Sequence, residues 1–295
     1  MNNQRMPYRP ALLAGALLVS LVAPGCVTSP ATGERQLVLI SRQQEIAMGR
    51  EAAPELEKEL GGRVADEDVQ AYVAKVGERV AAKSERPMPY EFHVVDASVP
   101  NALALPGGKI YITAGLLRAM ESECELAAVL SHEVGHVADR HNVHGLQRQL
   151  GVELVAELAA SAVGADAAQA ARIGTQIAGG MVNLKYSRED EYLADRLGVR
   201  YMARAGYNPY GMVALLETLQ REAGGGERAA WAEMFRTHPL TSNRIQAARD
   251  LVRRRYRDAS PEGCDVPDEA FLRMQERLPA PADQATQPAP ESETP

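Results

Sequence analysis

The sequence has no excess of positive charge. Its 295 residues carry 32 Lys and Arg against 39 Asp and Glu, a formal net charge of −7. No basic stripe runs along any segment, which argues against nucleic acid as a partner. Long apolar runs are missing too. The Ala- and Gly-rich section from Asn142 to Leu184 is broken by Glu153, Glu157, Asp166 and Arg172. It never reaches the roughly 18 uncharged apolar residues that a membrane span needs. It reads as a packed helical pair, mobile at Gly179-Gly180. Cysteine is scarce, at three residues. Beyond Cys26 only Cys124 and Cys264 remain, too far apart in sequence for spacing to decide their pairing. An oxidising compartment permits a bridge, and two unpaired thiols are the equal alternative. No internal repeat is present. What remains is ordinary for a globular protein: 45% hydrophobic and 24% charged residues, enough for a sizeable core in one large domain or two small ones.

The N-terminus has the anatomy of a signal peptide. Arg5 and Arg9 precede an apolar run from Ala11 to Ala23, which ends at Pro24-Gly25-Cys26 and is too short to span a bilayer. The small residue before Cys26 resembles the lipobox of bacterial lipoproteins, whose cysteine is acylated and becomes the mature N-terminus. Ala23 and Pro24 depart from the Leu and small residue usual there. An ordinary signal peptide with a chance cysteine is the alternative. Several acyl chains would anchor the protein firmly to a membrane. Val27 in place of Asp favours, by the same resemblance, the outer membrane over the inner.

Residues 1–25 are thus read as signal peptide and 26–41 as lipidated cysteine and polar tether, closing on the apolar patch Leu37 to Ile40. Ser41 caps a helix from about Arg42 to Leu60, stopped by Gly61-Gly62. Asp66 or Asp68 opens a second helix to about Lys83, with Val69, Val73, Val76 and Val80 on one face. Glu91 to Val95 alternates like a strand, and Leu103 to Leu105 and Ile110 to Ile112 flank the turn at Pro106-Gly107-Gly108. Helices dominate afterwards. The main domain is read as 42–258 and a C-terminal extension as 259–278. The tail, 279–295, is Pro, Ala, Gln, Glu and Thr without core-forming residues, a disordered composition.

The chemistry lies at His132-Glu133-Val134-Gly135-His136, which reads H-E-x-x-H after the apolar helical run Leu126 to Leu130. Helical positions four apart share a face, so both imidazoles can reach one metal ion. Glu133, beside that ion, can take a proton from bound water, the arrangement of a zinc hydrolase. Catalytic zinc needs three protein ligands and an open position. Downstream, Glu191 and Asp195 are again four apart. Glu191 can complete the ligand set, and Asp195 can accept the free N–H of a ligand histidine. Glu189 and Asp190 point elsewhere on that helix. His141 follows His136 off the ligand face, so His141 and His144 are assigned to surface or packing and His93 to structure. Tyr201 and Tyr207 could serve an oxyanion, but nothing singles them out.

Taken together, the motifs resemble peptidase family forty-eight of the zinc metallopeptidases. That family includes the CAAX prenyl protease, the mitochondrial inner-membrane stress protease and bacterial periplasmic assembly-quality proteases. Matching segments are H-E-x-x-H at 132–136, S-R-x-x-E-x-x-A-D at 187–195, N-A-x-A-x-P-G-G at 101–108 and H-P-x-x-x-x-R at 238–244. The likeness runs from about Arg35 to Arg254. It implies one Zn²⁺ per chain held by His132, His136 and Glu191, with Glu133 as general base and acid, and His238 and Arg244 near the active site, where either could donate to the oxyanion. His238 is then either a transition-state donor or a latch over the zinc; a helix-start residue before Pro239 is the plain alternative. The strand carrying Asn101, Ala102, Leu103 and Ala104 would pair with an extended substrate peptide by edge addition.

The expected fold is α+β: a mainly helical zincin with a small sheet beside the H-E-x-x-H helix. The expected activity is metalloendopeptidase. With neither further spans nor the helical-repeat tail of some relatives, the resemblance implies a minimal catalytic domain on a lipid tether. Its expected partners are misfolded or stalled envelope polypeptides and the membrane. A metal-stabilised chaperone or assembly lipoprotein is the competing reading, against which the intact Glu133 argues. A non-peptidase zinc hydrolase comes third, because the strand at 101–108 suits an extended peptide.

Overall fold

The computed structural model of the chain describes residues 25–225, 229–264 and 268–280. All but the last residue of the 1–25 segment, the tail beyond 280 and the Cys26 side chain lie outside the described residues.

The first described residues form an antiparallel hairpin, β1 (Gly25–Thr28) and β2 (Arg35–Val38), with Cys26 opposite Leu37. This changes the reading of that stretch as a plain tether. Its turn closes through Ser29, whose N–H donates to Glu34 O at 2.7 Å and whose carbonyl accepts from Gly33 N at 2.8 Å. Gly33 sits at φ 78°, a conformation that favours glycine. The turn is fastened to the body of the protein. Ser29 Oγ donates to Asp139 Oδ1 at 2.5 Å, and Arg200 Nη2 donates to Ala31 O at 2.8 Å.

Helix α1 (Arg42–Glu59) starts as expected at Ser41, in a capping box with Gln44. Helix α2 (Glu67–Ala81) starts at Asp66, whose carboxylate accepts from Asp68 N and Val69 N, and its four valines are buried. The sheet has the order β3 (Glu91–Val95), β5 (Lys109–Thr113), β4 (Ala102–Ala104), with β3 parallel and β4 antiparallel to the central β5. Strand alternation divides the core. Phe92, Val94, Ile110 and Ile112 pack with α2, while Val95, Leu103 and Tyr111 pack with α1 on the other side.

After α3 (Ala114–Ala119) comes α4 (Glu123–Ala138), which carries H-E-x-x-H and packs against edge strand β4. Nearly every residue of α4 is buried, which explains why its apolar residues surround the helix instead of forming one stripe. The section read as a helical pair holds three helices: α5 (His141–Leu150), α6 (Val152–Ala162) and α7 (Ala167–Val182). Helix α7 runs unbroken through Gly179-Gly180. A Cβ on Gly180 would stand 2.8 Å from Leu146 Cδ2, so this glycine serves close packing and not a hinge.

Helix α8 (Arg188–Arg204) lies against α4. Small residues permit the close approach: a Cβ on Gly135 would stand 3.1 Å from Ala194 O, and one on Gly198 would stand 3.2 Å from His132 N. The molecule continues with α9 (Gly211–Gly224), α10 (Ala232–Thr237), α11 (Ser242–Arg255) and α12 (Glu269–Glu276). Phe271 and Met274 of α12 join the same core as α4. Among the described residues no helix is long and apolar enough to cross a membrane.

Candidate metal centre

Four elements meet at one point. Helix α4 brings His132, Glu133 and His136; α8, capped by Ser187, brings Glu191 and Asp195. His238 is the C-cap of α10, and Arg244 lies in the first turn of α11. Each of His132, His136, Glu191 and His238 offers a ligand atom, and these atoms all lie within 4.8 Å of one another. His132 Nε2 and His136 Nε2 are 2.9 Å apart. Glu191 Oε1 is 3.3 Å from His136 Nε2 and 3.0 Å from His238 Nδ1. All four residues are buried.

The donor set fits zinc. Two imidazole nitrogens converge with a carboxylate and a third imidazole, the nitrogen and oxygen ligands zinc prefers. Neither carboxylate oxygen of the buried Glu133 has a hydrogen-bond partner among the described residues. An orphaned buried carboxylate is costly, so its persistence points to a missing partner such as an activated water. The protein's own charges prepare the site. Burial pushes the Glu133 carboxyl above its usual range, against the pull of His238 and His132. Burial holds the His136 imidazole well below its usual value, which keeps it neutral and able to ligate. Burial opposes the Glu191 charge as well, but Arg244, His238 and His132 outweigh it and hold that carboxyl well below the usual range.

Asp195 stands behind His132. Its Oδ1 is 2.9 Å from His132 Nδ1, the nitrogen turned away from the cluster. Arg244 grips the same carboxylate with two bonds, Nε to Oδ2 at 2.8 Å and Nη2 to Oδ1 at 2.7 Å. Its Nη1 forms an ion pair with Glu191 Oε2 at 2.5 Å. Arg244 therefore positions the two acids; its donors are not turned toward open space.

Two further residues stand against the ring of His136. His141 is buried, and its Nδ1 lies 3.0 Å from His136 Nδ1. Of surface and packing, its burial fits packing, and it stands outside the metal-holding group. Tyr186, just before the Ser187 cap, stacks on the His136 ring at 3.9 Å between centroids. Its hydroxyl is buried without a partner among the described residues. No spacing rule marks Tyr186; its only signal is adjacency to the S-R-x-x-E segment. Tyr201 and Tyr207 are occupied elsewhere, each under an arginine, Arg200 and Arg79 respectively. His93 serves structure, tilted against Tyr111. Asn101 stands just before the edge strand, its N–H donating to Thr113 Oγ1 at 2.9 Å and its Oδ1 accepting from Ala102 N at 2.9 Å. Cys124 and Cys264 come together beside Asn208: the Cys264 thiol pulls that of Cys124 below its usual range, and Cys264 Sγ is 3.8 Å from Asn208 O.

Comparison with known proteins agrees with this geometry. Residues 67–252 match the model of Peptidase family M48. The chain is 27% identical over 251 residues to the Beta-barrel assembly-enhancing protease of Escherichia coli (strain K12), covering 81% of this chain and 51% of that protein. It is 30% identical over 225 residues to the mitochondrial metalloendopeptidase OMA1 of Schizosaccharomyces pombe, covering 74% and 64%. Against the metalloprotease YcaL of Escherichia coli (strain K12) it is 33% identical over 166 residues, covering 56% and 63%. The chain spans about half the length of the assembly-enhancing relatives it matches. With the family model spanning most of the chain and the metal cluster inside it, this chain belongs to peptidase family M48, a family of zinc metallopeptidases.

Proposed function

We infer that this chain is a zinc-dependent metalloendopeptidase, anchored as a lipoprotein in the bacterial envelope and acting in turnover or quality control of envelope proteins. The observation that carries the catalytic reading is Glu133, buried beside the converging His132, His136 and Glu191 with neither oxygen hydrogen-bonded among the described residues. When bound, zinc acidifies a water and polarises the scissile carbonyl. Glu133, its proton affinity raised by burial, accepts the water's proton and hands it to the leaving amine. Asp195 and Arg244 hold His132 and Glu191 in place throughout.

Edge strand β4 suits an extended substrate. Asn101 O and Leu105 N bond to Thr113 N and Lys109 O of the β5 side at 3.0 and 2.8 Å. Antiparallel alternation then turns the Ala102 carbonyl and Ala104 amide away from β5, onto an edge that is buried in this structure and has to open to admit a peptide. A peptide added there lies beside α4.

His238 is read as a latch. A catalytic zinc needs an open position, and His238, whose ligand atom lies within 4.8 Å of those of His132, His136 and Glu191, would fill it as a fourth protein ligand. The latch is held by several bonds. Tyr186 N donates to Thr237 O at 3.1 Å, His238 N to Met234 O at 2.8 Å, and Arg244 Nη1 to Pro239 O at 3.2 Å. Met234, His238 and Leu240 also cover a small apolar cavity lined by Val129, Leu215 and Leu216.

The envelope reading draws on the signal-peptide anatomy, the Cys26 segment and the name of the assembly-enhancing relatives. The closed four-ligand cluster also favours a second reading, a metal-stabilised chaperone, since structural zinc sites are closed. The orphaned Glu133 speaks against it, because a purely structural site gains nothing from a buried unpartnered carboxylate.

The test uses unfolded casein, with and without a chelator. Internal cuts that stop on zinc removal and return on its addition are expected. An intact polypeptide, even with His238→Ala, would overturn the protease in favour of the chaperone. For the anchor, Cys26→Ser should move the full chain from the membrane to the soluble fraction; retention in the membrane would overturn that part.

A further inference from the structure

The two ligand histidines of α4 are held from behind in different ways. His132 turns its Nδ1 to the Asp195 carboxylate at 2.9 Å. His136 turns its Nδ1 to another imidazole, that of His141, at 3.0 Å. His141 is 3% exposed, and its far nitrogen, Nε2, stands 3.4 Å from Asp139 Oδ2 and 3.8 Å from Asp190 Oδ1. Asp139 is 4% exposed, and its other oxygen accepts the Ser29 hydroxyl at 2.5 Å. Thr32 Oγ1 reaches the same oxygen at 3.5 Å.

Only one arrangement of protons satisfies this series. A histidine that ligates through Nε2 carries its proton on Nδ1. His136 therefore donates, and His141 must accept through Nδ1. The His141 proton then sits on Nε2, facing Asp139 Oδ2, and an ionised carboxylate can only accept. Ser29 donates to the remaining oxygen. Every donor meets an acceptor, from the hairpin turn to the ligand.

We propose that His141 is a positioning residue for the metal: backed by Asp139 and Ser29, it fixes the tautomer and ring orientation of His136. The same series ties the β1–β2 hairpin, which carries Cys26, to the metal centre. The inference rests on the metal site of the proposed function, and it adds a residue outside the ligand motifs. Partners of ligand histidines at this distance change metal affinity about 10–100-fold when removed.

The test is zinc affinity, measured by chelator competition on the mature chain, with melting of the metal-free form alongside. His141→Leu removes the acceptor and should weaken zinc binding about 10–100-fold. His141→Asn keeps an acceptor oxygen near the Nδ1 position and should recover most of that loss. His141→Leu with native affinity would overturn the proposal, and so would His141→Asn as weak as His141→Leu. If metal-free melting falls equally in both variants and affinity tracks it, the role is structural and the proposal fails. A native chain that binds no zinc would instead sink the metalloprotease reading itself, so the two failures are distinguishable.

Discussion

His238 Nδ1 lies 3.0 Å from Glu191 Oε1, inside the cluster that would hold the metal. Burial disfavours the His238 cation, but the carboxylates of Glu191 and Glu133 outweigh it and raise its proton affinity. Once it has given up that proton, a side chain placed there would compete with water for the last metal position. His238→Ala should therefore increase peptide hydrolysis about tenfold or more, as expected when most molecules rest in an incompetent state. Initial rates on an unfolded polypeptide at equal zinc content check this. An unchanged or lower rate in a folded variant would favour the donor role over the latch.

Arg244 joins the two acids behind the metal. It is bidentate on Asp195 and paired with Glu191, and all three are buried. Arg244→Ala strands two carboxylates without a counter-charge, at a cost of about 3–5 kcal/mol in unfolding free energy. Arg244→Lys retains the charge but not the fork, so it should keep part of the stability and still lose zinc affinity. Urea unfolding and chelator competition measure the two effects separately. A lysine variant with native zinc affinity would contradict the positioning role.

A second buried ion group supports α4 from its C-terminal end. Glu45 is fully buried, and both its oxygens are 2.8 Å from Arg86 Nη2, with Arg140 Nη1 at 2.5 Å. Arg86 also donates to Val137 O at 2.6 Å, one of the last carbonyls of α4. Glu45→Gln leaves two guanidinium groups undercompensated and should cost about 3–5 kcal/mol. A loss below about 1 kcal/mol, the range of exposed pairs, would show that water reaches this group.

Glu125 gives a pH dependence of known sign. Burial raises its pKa above the usual carboxylate range, against the hydrogen bonds from the Glu121 amide and the Thr218 hydroxyl. A carboxyl raised in the folded state favours folding below its unfolded pKa, and that contribution is lost as pH rises through the folded pKa. Glutamine can accept from the Glu121 amide and donate to Thr218 Oγ1. Glu125→Gln should thus stabilise the chain at neutral pH and add nothing in acid. Denaturant midpoints across pH decide it, and a variant less stable at neutral pH than in acid, relative to native, would reverse the sign.

The parts of the site that obey helical spacing were legible in the sequence. His132 with His136, and Glu191 with Asp195, share faces because α4 and α8 run unbroken through them. His141 was not legible for a related reason. Arg140 adopts the left-handed conformation at φ 61° and ends α4, so His141 opens α5 and the count along one helix no longer applies. The side chain of Arg140, bonded to Glu45 and to Ile40 O at 3.0 Å, holds that break in place. The β1–β2 hairpin escaped because its attachment depends on Ser29 and Asp139, residues distant in sequence whose pairing has no periodicity. Gly179 and Gly180 of α7 were read as mobile because a lone sequence does not show Leu146 packed against Gly180. The edge strands and caps, by contrast, follow from local turn and capping chemistry at Gly107-Gly108, Ser41 and Asp66.

The central claim is that Glu133 works on a zinc held by its neighbours. The most direct measurement is zinc content and casein cleavage of the native chain beside Glu133→Gln. Zinc in both, with cleavage reduced about a hundred- to ten-thousand-fold in the variant, is the predicted result. Equal cleavage by both, or no zinc in the native chain, would contradict it.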